Sequence, residues 1–414
     1  MKKIIKLLFF VACIGILAGC EKDEMFSDQS DLMLKKAMKV KVMPCSSSDV
    51  MEKAETDWEN INKALKNAGP GEVVQLGEGT FYLHKSVVCW DFDGTLKGAG
   101  MGKTIIRTVP NMIFNIDECP PVNWSFENNS GAFLLCFAHN YFENKRTVSV
   151  SDLSVVVDEP TPIRPKGSGK INSMHAIMVM YTNLDNKRDK PVNLNISYKN
   201  ISVKGEQDVN KYKYKGYSVF SGLSGYGYSN GIFEVKNAHI ENTSGCIKPH
   251  AFFGPDAHII IKNCCLNNST HGVYAFFDHS WTILHNKIEN CEMGLALLKR
   301  VAPAVTWDGP VGKTYVKDNL IESFSKMGIG LQFTSNVQIK DNVVTGSGMY
   351  GGIASIQGSN WIVKDNNLCG VSAPTIFLMN LKNSEIKNNF NQVIFGPGAA
   401  EPTNIIGEGV ECDD

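Results

Sequence analysis

Residues 337–366, VQIKDNVVTGSGMYGGIASIQGSNWIVKDN, contain the pattern that decides the fold. Ile339-Lys340-Asp341-Asn342 near the start of this stretch returns 24 residues later as Val363-Lys364-Asp365-Asn366. The same phrase, an aliphatic residue followed by Lys or His and then by Asn or Asp-Asn, recurs through the second half of the chain. Measured at the Lys or His, its steps are 26, 23, 32, 23, 24 and 23 residues. A near-constant period of this length indicates a stacked solenoid. The seven copies are Val235-Lys236-Asn237, Ile261-Lys262-Asn263, Leu284-His285-Asn286, Val316-Lys317-Asp318-Asn319, Ile339-Lys340-Asp341-Asn342, Val363-Lys364-Asp365-Asn366 and Ile386-Lys387-Asn388-Asn389.

The composition of the repeats indicates which kind of solenoid they build. Each repeat holds short β-type runs with turn residues and lacks a leucine-rich consensus, which favours a parallel β-helix. Its coils would pair in parallel about 4.8 Å apart. Asn tolerates the left-handed backbone of a tight bend and can stack into a ladder across coils. We therefore predict an all-β fold, a single-stranded right-handed parallel β-helix of about ten to twelve coils. The step of 32 residues predicts an insertion near Val301 to Thr314.

A capping helix is predicted before the first coil. Thr56 to Ala68 is amphipathic, Thr56 and Glu59 have the spacing of a capping box, and Gly69-Pro70 would end the helix. Such a helix would cover strand edges that the end of the solenoid otherwise exposes. The predicted organisation is a signal peptide over residues 1–19, a linker over 20–55, a β-helix over 56–400 and a C-terminal tail over 401–414.

A second pattern begins within the predicted capping helix and continues into the first coils. It consists of Ile61, Ala64-Leu65, Ala68-Gly69-Pro70-Gly71-Glu72, Val74, Leu76, Gly79-Thr80-Phe81, Leu96-Lys97-Gly98-Ala99-Gly100 and Thr104-Ile105-Ile106. This pattern resembles the N-terminal signature of the pectate-lyase-like superfamily. The resemblance covers about residues 56–395 and implies the same right-handed β-helix. It further implies a carbohydrate-active protein, because many members cleave acidic polysaccharides on one outer sheet of the helix.

The N-terminus has the form of an export signal. Three lysines lie around the start of an apolar stretch from Ile4 to Leu17, which is short for a membrane span. Leu17-Ala18-Gly19-Cys20 follows and resembles the bacterial lipobox, in which the Cys carries the lipid. The acidic run Glu21-Lys22-Asp23-Glu24 resembles the surface-export signal of Bacteroidetes lipoproteins. These resemblances imply an outer-membrane or cell-surface protein, attached to the membrane by a lipid on Cys20.

Charge and cysteine content exclude some classes of function. The formal net charge is -1, so no basic field indicates a nucleic-acid partner. No cysteine pair has zinc-site spacing, and buried thiols are expected in the repeats. No acidic run indicates calcium, and five His residues between His250 and His285 would lie on different walls, so neither a metal nor a cofactor is expected. The thiols predicted to stack in the repeats are Cys246, Cys264, Cys265 and Cys291.

Alignment of the repeats predicts a site on one outer face. Ile247 and its equivalents Val273, Leu295, Ile329 and Ile353 form an aliphatic column, so alternation sends the next residue of each coil outward. The proposed catalytic residues are Lys248, His250, Tyr274 and Arg300, and the proposed substrate-binding residues are Asp278, Phe276, Trp307, Asp308 and Gln332. Lys or His could act as general base and Tyr as general acid, with Arg neutralising a uronate carboxylate. These are the groups that a polysaccharide lyase needs.

Lys248 loosely resembles the Lys of the chondroitinase-B and alginate-lyase branch, although Tyr274 stands where that branch would have an Arg. Two alternatives to a lyase remain open. A glycoside hydrolase would use two carboxylates instead, with Asp278, Glu292, Asp308 and Asp256 as candidates. The chain could also be a non-catalytic β-helix that binds glycan or serves as a structural protein of the cell surface. A catalytic site would require Lys248, His250, Tyr274 and Arg300 to line one groove.

Overall fold

The repeats fold into parallel strands that stack coil upon coil. The computed structural model describes residues 39–109, 131–158, 173–181, 191–205, 219–253, 256–276, 280–298, 312–332, 334–372, 374–392, 394–395 and 404–405. No described helix is long and apolar enough to cross a membrane. The elements are β1 (Lys39–Val42), α1 (Val50–Asn67), β2 (Glu72–Leu76), β3 (Gly79–Leu83), β4 (Val87–Trp90), β5 (Gly94–Lys97), β6 (Thr104–Thr108), β7 (Gly131–His139), β8 (Arg146–Val157), β9 (Ser173–Tyr181), β10 (Leu194–Gly205), β11 (Val219–Tyr228), β12 (Ile232–Lys236), β13 (His239–Glu241), β14 (Gly245–Phe253), β15 (His258–Lys262), β16 (Cys265–Phe276), β17 (Ser280–Leu284), β18 (Lys287–Leu298), β19 (Thr314–Lys317), β20 (Leu320–Phe324), β21 (Met327–Gln332), β22 (Thr334–Lys340), β23 (Val343–Gly346), β24 (Ile353–Lys364), β25 (Ile376–Lys382), β26 (Glu385–Lys387), β27 (Ile394–Phe395) and β28 (Asn404–Ile405).

The strands form three walls around one apolar core, which confirms the predicted right-handed parallel β-helix. Wall A consists of β4, β7, β9, β11, β14, β16, β18, β21, β24, β25 and β27. Wall B runs from β1 and β2 through β5, β8, β10, β12, β15, β17, β19, β22, β24 and β26 to β28. Wall C consists of β3, β6, β8, β10, β13, β16, β18, β20 and β23. Five long strands, β8, β10, β16, β18 and β24, turn a corner and belong to two walls each.

An asparagine ladder holds the corner between walls B and C. Asn342 shows the unit: its Nδ2 donates to Asn366 Oδ1 at 2.9 Å, and its Oδ1 accepts from Asn319 Nδ2 at 2.9 Å. The residue before each ladder Asn has a left-handed backbone, as Asp341 does with φ 54°. The ladder satisfies buried amides and carbonyls that a sharp corner would leave unpaired. Its members are Asn286, Asn319, Asn342, Asn366 and Asn389.

The pairing register corrects one alignment made from sequence. Lys262 pairs with Leu284, and Leu284 pairs with Lys317, so His285 does not occupy the Lys position of the repeat. His285 instead takes the left-handed position, with φ 55°, that Asn263 fills one coil earlier.

The capping helix is longer than predicted and starts earlier. Helix α1 begins at Val50 because Asp49 caps it, its Oδ1 accepting from Met51 N at 2.8 Å and Glu52 N at 2.9 Å. The predicted start at Thr56 is therefore wrong, and part of the predicted 20–55 linker is folded, since β1 lies within it.

Two smaller expectations also change. Asn404 and Ile405, in the predicted 401–414 tail, form β28 and pair with β26. Cys246, Cys264 and Cys291 are buried free thiols as expected, but Cys265 is exposed, because alternation sends it to the opposite face from Cys264.

Candidate functional site on the outer face of wall A

The aliphatic column that set the register lies in the core. Ile247 pairs with Val273, Val273 with Leu295, Leu295 with Ile329 and Ile329 with Ile353, and all five are fully buried in the main core. The register deduced from sequence is therefore correct at these coils. The residues on either side of this core strip build two outward columns.

Two outward columns define the face. Column 1 consists of Phe133, His175, Ser221, Gly245, His271, Met293 and Met327. Column 2 consists of Val88, Cys136, Met178, Ser224, Lys248, Tyr274, Ala296, Gly330, Ala354 and Phe377. The apolar members of both columns pack in two clusters separate from the main core, which shows that the columns lie outside the helix.

Polar groups concentrate where these columns pass the middle coils. Toward the N-terminus the face is apolar, with Phe133, Cys136, Met178 and Met180 packed together. Toward the C-terminus it is apolar again, with Ala296, Met327 and Ala354 packed near Tyr274. A cluster of His175, Ser221, Ser224, Lys248, His271 and Tyr274 lies between, and we call it the polar cluster.

Lys248 has the least ordinary environment in the cluster. It points outward as predicted, yet only 7% of it is exposed. Its ammonium has no hydrogen-bond or ion-pair partner within the described part of the chain. Burial lowers the pKa of Lys248 from 10.5 to about 8, because desolvation disfavours the charged form. A neutral amine is therefore accessible near physiological pH, which is what a general base requires.

Tyr274 is brought beside Lys248, as the sequence predicted. The pairing of Ile247 with Val273 places them on neighbouring coils of column 2, and Lys248 Nζ lies 5.7 Å from the Tyr274 ring centroid. Tyr274 also packs on His271, with ring centroids 4.4 Å apart. Tyr274 and His271 are both partly exposed, so the cluster reaches solvent through these two rings.

His175 and Ser224 belong to the site, although the sequence analysis did not identify them. Their Nδ1 and Oγ atoms lie 2.7 Å apart, and both residues are fully buried. Burial holds the pKa of His175 well below its usual 6.5, and the positive charge of Lys248 lowers it further. His175 is therefore neutral at physiological pH.

His271 completes the cluster on the next coil. Its Nδ1–H donates to the Ser244 carbonyl at 3.3 Å. Burial lowers the pKa of His271 from 6.5 to about 4, while the Ser244 contact opposes that shift. Glu292, which also acts electrostatically on His271, forms an ion pair with Lys326. The polar cluster is therefore a set of neutral donors and acceptors around one buried amine.

Of the other residues predicted for the lyase site, only Gln332 has a described side chain, and it is not part of this cluster. Gln332 ends β21 and stands in register with Leu298 and, through it, with Phe276. It lies three coils from Lys248, which at the spacing of paired strands is about 14 Å along the β-helix. The backbones of His250 and Phe276 lie in β14 and β16, but their side chains lie outside the described residues. The pairing of β14 with β11 also shifts after Pro249, so alternation alone does not assign His250 to the outer face. Arg300, Asp278, Trp307, Asp308 and Cys20 lie outside the described residues.

A sequence signal for His175 and Ser224 was available only in weak form. His175 begins the stretch HAIMVM in β9, and Ser224 stands with Ser221 in β11. The long loops between these strands interrupt the repeat period, so the alignment began one coil after Ser224 and two coils after His175.

The chain is similar to one protein-family model and to several solved structures. A family model described as periplasmic copper-binding protein (NosD) matches residues 192–389. No curated protein sequence matches the chain. The A-module of the mannuronan C-5 epimerase AlgE6 from Azotobacter vinelandii is 12% identical over 87% of this chain and 96% of its own, with a TM-score of 0.48. The family 28 exopolygalacturonase of Yersinia enterocolitica is 12% identical over 91% of this chain and 77% of its own, with a TM-score of 0.46. PfbA, a surface adhesin of Streptococcus pneumoniae, is 12% identical over 83% and 85% of the two chains, with a TM-score of 0.37. This chain is a right-handed parallel β-helix protein, and its residues 192–389 are similar to the NosD family.

Proposed function

We propose that the outer face of wall A binds an acidic, uronate-containing glycan and cleaves it by β-elimination. The observation that carries the proposal is the buried amine of Lys248 at the centre of the polar cluster, which has no ion-pair partner in the part of the chain that the structure describes. A buried lysine without a counter-charge lowers the stability of a fold, and such groups concentrate at functional sites.

The proposed reaction uses Lys248 as base and Tyr274 as acid. The neutral amine takes the proton from C5 of a uronate, the electrons of that C–H bond form a C4=C5 double bond, and the C4–O bond breaks. The Tyr274 phenol supplies the proton that the leaving oxygen needs, so the step balances without a co-reactant. Arg300 remains the proposed partner of the uronate carboxylate, and Asp278, Phe276, Trp307, Asp308 and Gln332 remain proposed substrate contacts.

The polar cluster favours elimination over glycoside hydrolysis. Hydrolysis needs two carboxylates on either side of the scissile bond. The polar cluster contains none, and Glu292 beside it is already paired with Lys326. Asp256, another candidate, is exposed in the turn just before β15.

Copper, which the description of the matched family names, does not fit the described residues. No group of three or more His, Cys, Asp or Glu side chains within the described ranges is placed to hold a metal ion. In the polar cluster His175 Nδ1 lies against Ser224, and His271 Nδ1 against Ser244.

The proposed location is the cell surface, with a lipid on Cys20 as the anchor. The export signal over residues 1–19 and the lipobox resemblance support it. The periplasmic description of the matched family is compatible with export.

A screen of the chain from Glu21 onward against uronate polysaccharides tests the reaction. Elimination creates an unsaturated uronate, which is read from its ultraviolet absorbance. Lys248→Ala should reduce kcat at least about 100-fold, whereas Lys340→Ala on wall B should not change it. New reducing ends without that absorbance would identify a hydrolase. Binding without any product would identify a non-catalytic glycan-binding protein.

A further inference from the structure

Two buried polar atoms of the polar cluster have no hydrogen-bond partner among the described residues. They are Ser221 Oγ and His175 Nε2. The Lys248 ammonium lies on the neighbouring column, and desolvation by burial lowers its pKa. Each buried polar group left unpaired lowers stability, so native folds keep few of them. Two on adjacent coils, beside this amine, indicate that another molecule supplies their partner.

Among the described residues, little fills the space beside Gly245 at the same place. Gly245 lies in column 1 between Ser221 on the preceding coil and His271 on the next. Gly245 is buried. If a Cβ atom were added to it, the only described atom within 4 Å outside its chain neighbours would be Ser221 Oγ, at 3.8 Å. Other glycines of the wall differ, since a Cβ on Gly294 would lie 2.6 Å from the carbonyl oxygen of Gly328. The absent side chain of Gly245 therefore leaves a cradle lined by polar groups.

The donors around this cradle are of the kind that bind a carboxylate. Ser224 Oγ–H donating to His175 Nδ1 would put the ring proton on Nε2, which then donates outward together with the Ser221 hydroxyl. Because His175 is neutral, it can donate without adding charge to the base beside it. Lys248 follows Gly245 by three residues on the same strand.

We propose that the cradle over Gly245 is the subsite for the carboxylate of the uronate that loses its proton, held by Ser221 and His175 next to Lys248, which leaves Arg300 for the carboxylate of another uronate of the glycan. This inference rests on the proposed function and names the group that the site recognises. Elimination builds negative charge on that carboxylate as the adjacent carbon loses its proton. Hydrogen-bond donors already aimed at the growing charge stabilise the transition state. The cradle thereby places the acidic C–H bond beside the amine that removes its proton.

Gly245→Ala is the sharpest test, because it fills the cradle with one methyl group. The backbone φ of Gly245 is not positive, and a contact of 3.8 Å is an ordinary van der Waals distance, so the variant should fold. Ser221→Ala removes one donor that has no protein partner, so it too should fold. Gly69→Ala, remote from wall A and with its closest neighbour at 3.5 Å, is the matched control.

Binding of glucuronate, with glucose as the uncharged probe, is measured by calorimetry on the full mature chain. The wild type and Gly69→Ala should bind glucuronate and not glucose. Gly245→Ala should weaken glucuronate binding at least about tenfold, and Ser221→Ala about three- to tenfold. Equal affinity of Gly245→Ala and the wild type, or no binding of glucuronate to the wild type, would overturn the inference.

These results separate the cradle from the reaction. Glucuronate binding that depends on Gly245, with no unsaturated product from any polysaccharide, would support the cradle and refute the elimination. Product formation with unchanged kcat/KM in Gly245→Ala would support the elimination and refute the cradle.

Discussion

Replacing Lys248 by Met should make the protein more stable, and the size of the effect follows from burial. Met has similar length and no charge, so it fills the same space without the cost of desolvating an ammonium. The pKa of Lys248 is lowered from 10.5 to about 8 in the folded chain. At 1.36 kcal/mol for each pH unit, this difference corresponds to about 3 kcal/mol of lost stability.

The pH dependence gives the sign of the effect. Below pH 8 both folded and unfolded chains carry the charge, so the full cost is present. Between pH 8 and 10.5 the unfolded chain binds more protons at this group, so stability rises with pH and the cost disappears by about pH 10.5. Buried thiols act in the opposite direction, since burial raises the pKa of Cys89 and Cys246 to about 11. The difference between wild type and variant isolates Lys248, because the thiols are common to both.

Thermal unfolding at pH 7 and at pH 10.5 measures this difference without a substrate. At pH 7 the Tm of Lys248→Met should exceed that of the wild type by roughly 4 °C, a small shift because the chain is long. At pH 10.5 the two should nearly coincide. Lys340→Met, on partly exposed wall B, is the control and should shift the Tm little at either pH. A variant that is less stable than wild type at pH 7, or a gain that persists unchanged at pH 10.5, would refute the reasoning.

Three further predictions concern the fold and its export. Asn342→Ala should lower the free energy of unfolding by about 3 kcal/mol or more in urea titrations, because it removes the acceptor of the buried Asn319 backbone N–H and a donor to the Val316 carbonyl; a loss under about 1 kcal/mol would argue against a structural ladder. Asp57→Ala should cost about 2 kcal/mol in the same assay, because the buried carboxylate accepts from two backbone amides, at 2.7 and 2.9 Å, and no loss would show that water replaces it. Cys20→Ala should abolish acyl labelling and move the protein out of the membrane fraction, and unchanged membrane retention would contradict the lipid anchor.

The register of wall A could be predicted because it depends on the residue pattern within each coil. Ile247 and its equivalents recur at one position of a near-constant repeat, and strand alternation then sends Lys248 and Tyr274 outward. The repeat alignment placed His285 in the Lys column, one residue away from the left-handed turn column that it occupies. Asn and His can both occupy the left-handed turn, so the residue types alone do not separate these two columns. Helix α1 was shortened for a similar reason: Thr56 matched a capping pattern, whereas Asp49 supplies the actual cap.

Sequence by itself determined the β-helix, because a repeat of about 23 residues with an Asn at each bend leaves few other ways to bury its aliphatic columns. It also determined that Lys248 and Tyr274 share an outer face. Only the tertiary structure decided that this face is buried around Lys248, and that His175 and Ser224, 49 residues apart in the chain, meet there at 2.7 Å. Alternation specifies which side of a strand a residue faces, but burial and pairing depend on which coils become neighbours across loops of irregular length. The pKa of Lys248 and the cradle over Gly245 depend on those neighbours, and therefore on the folded chain.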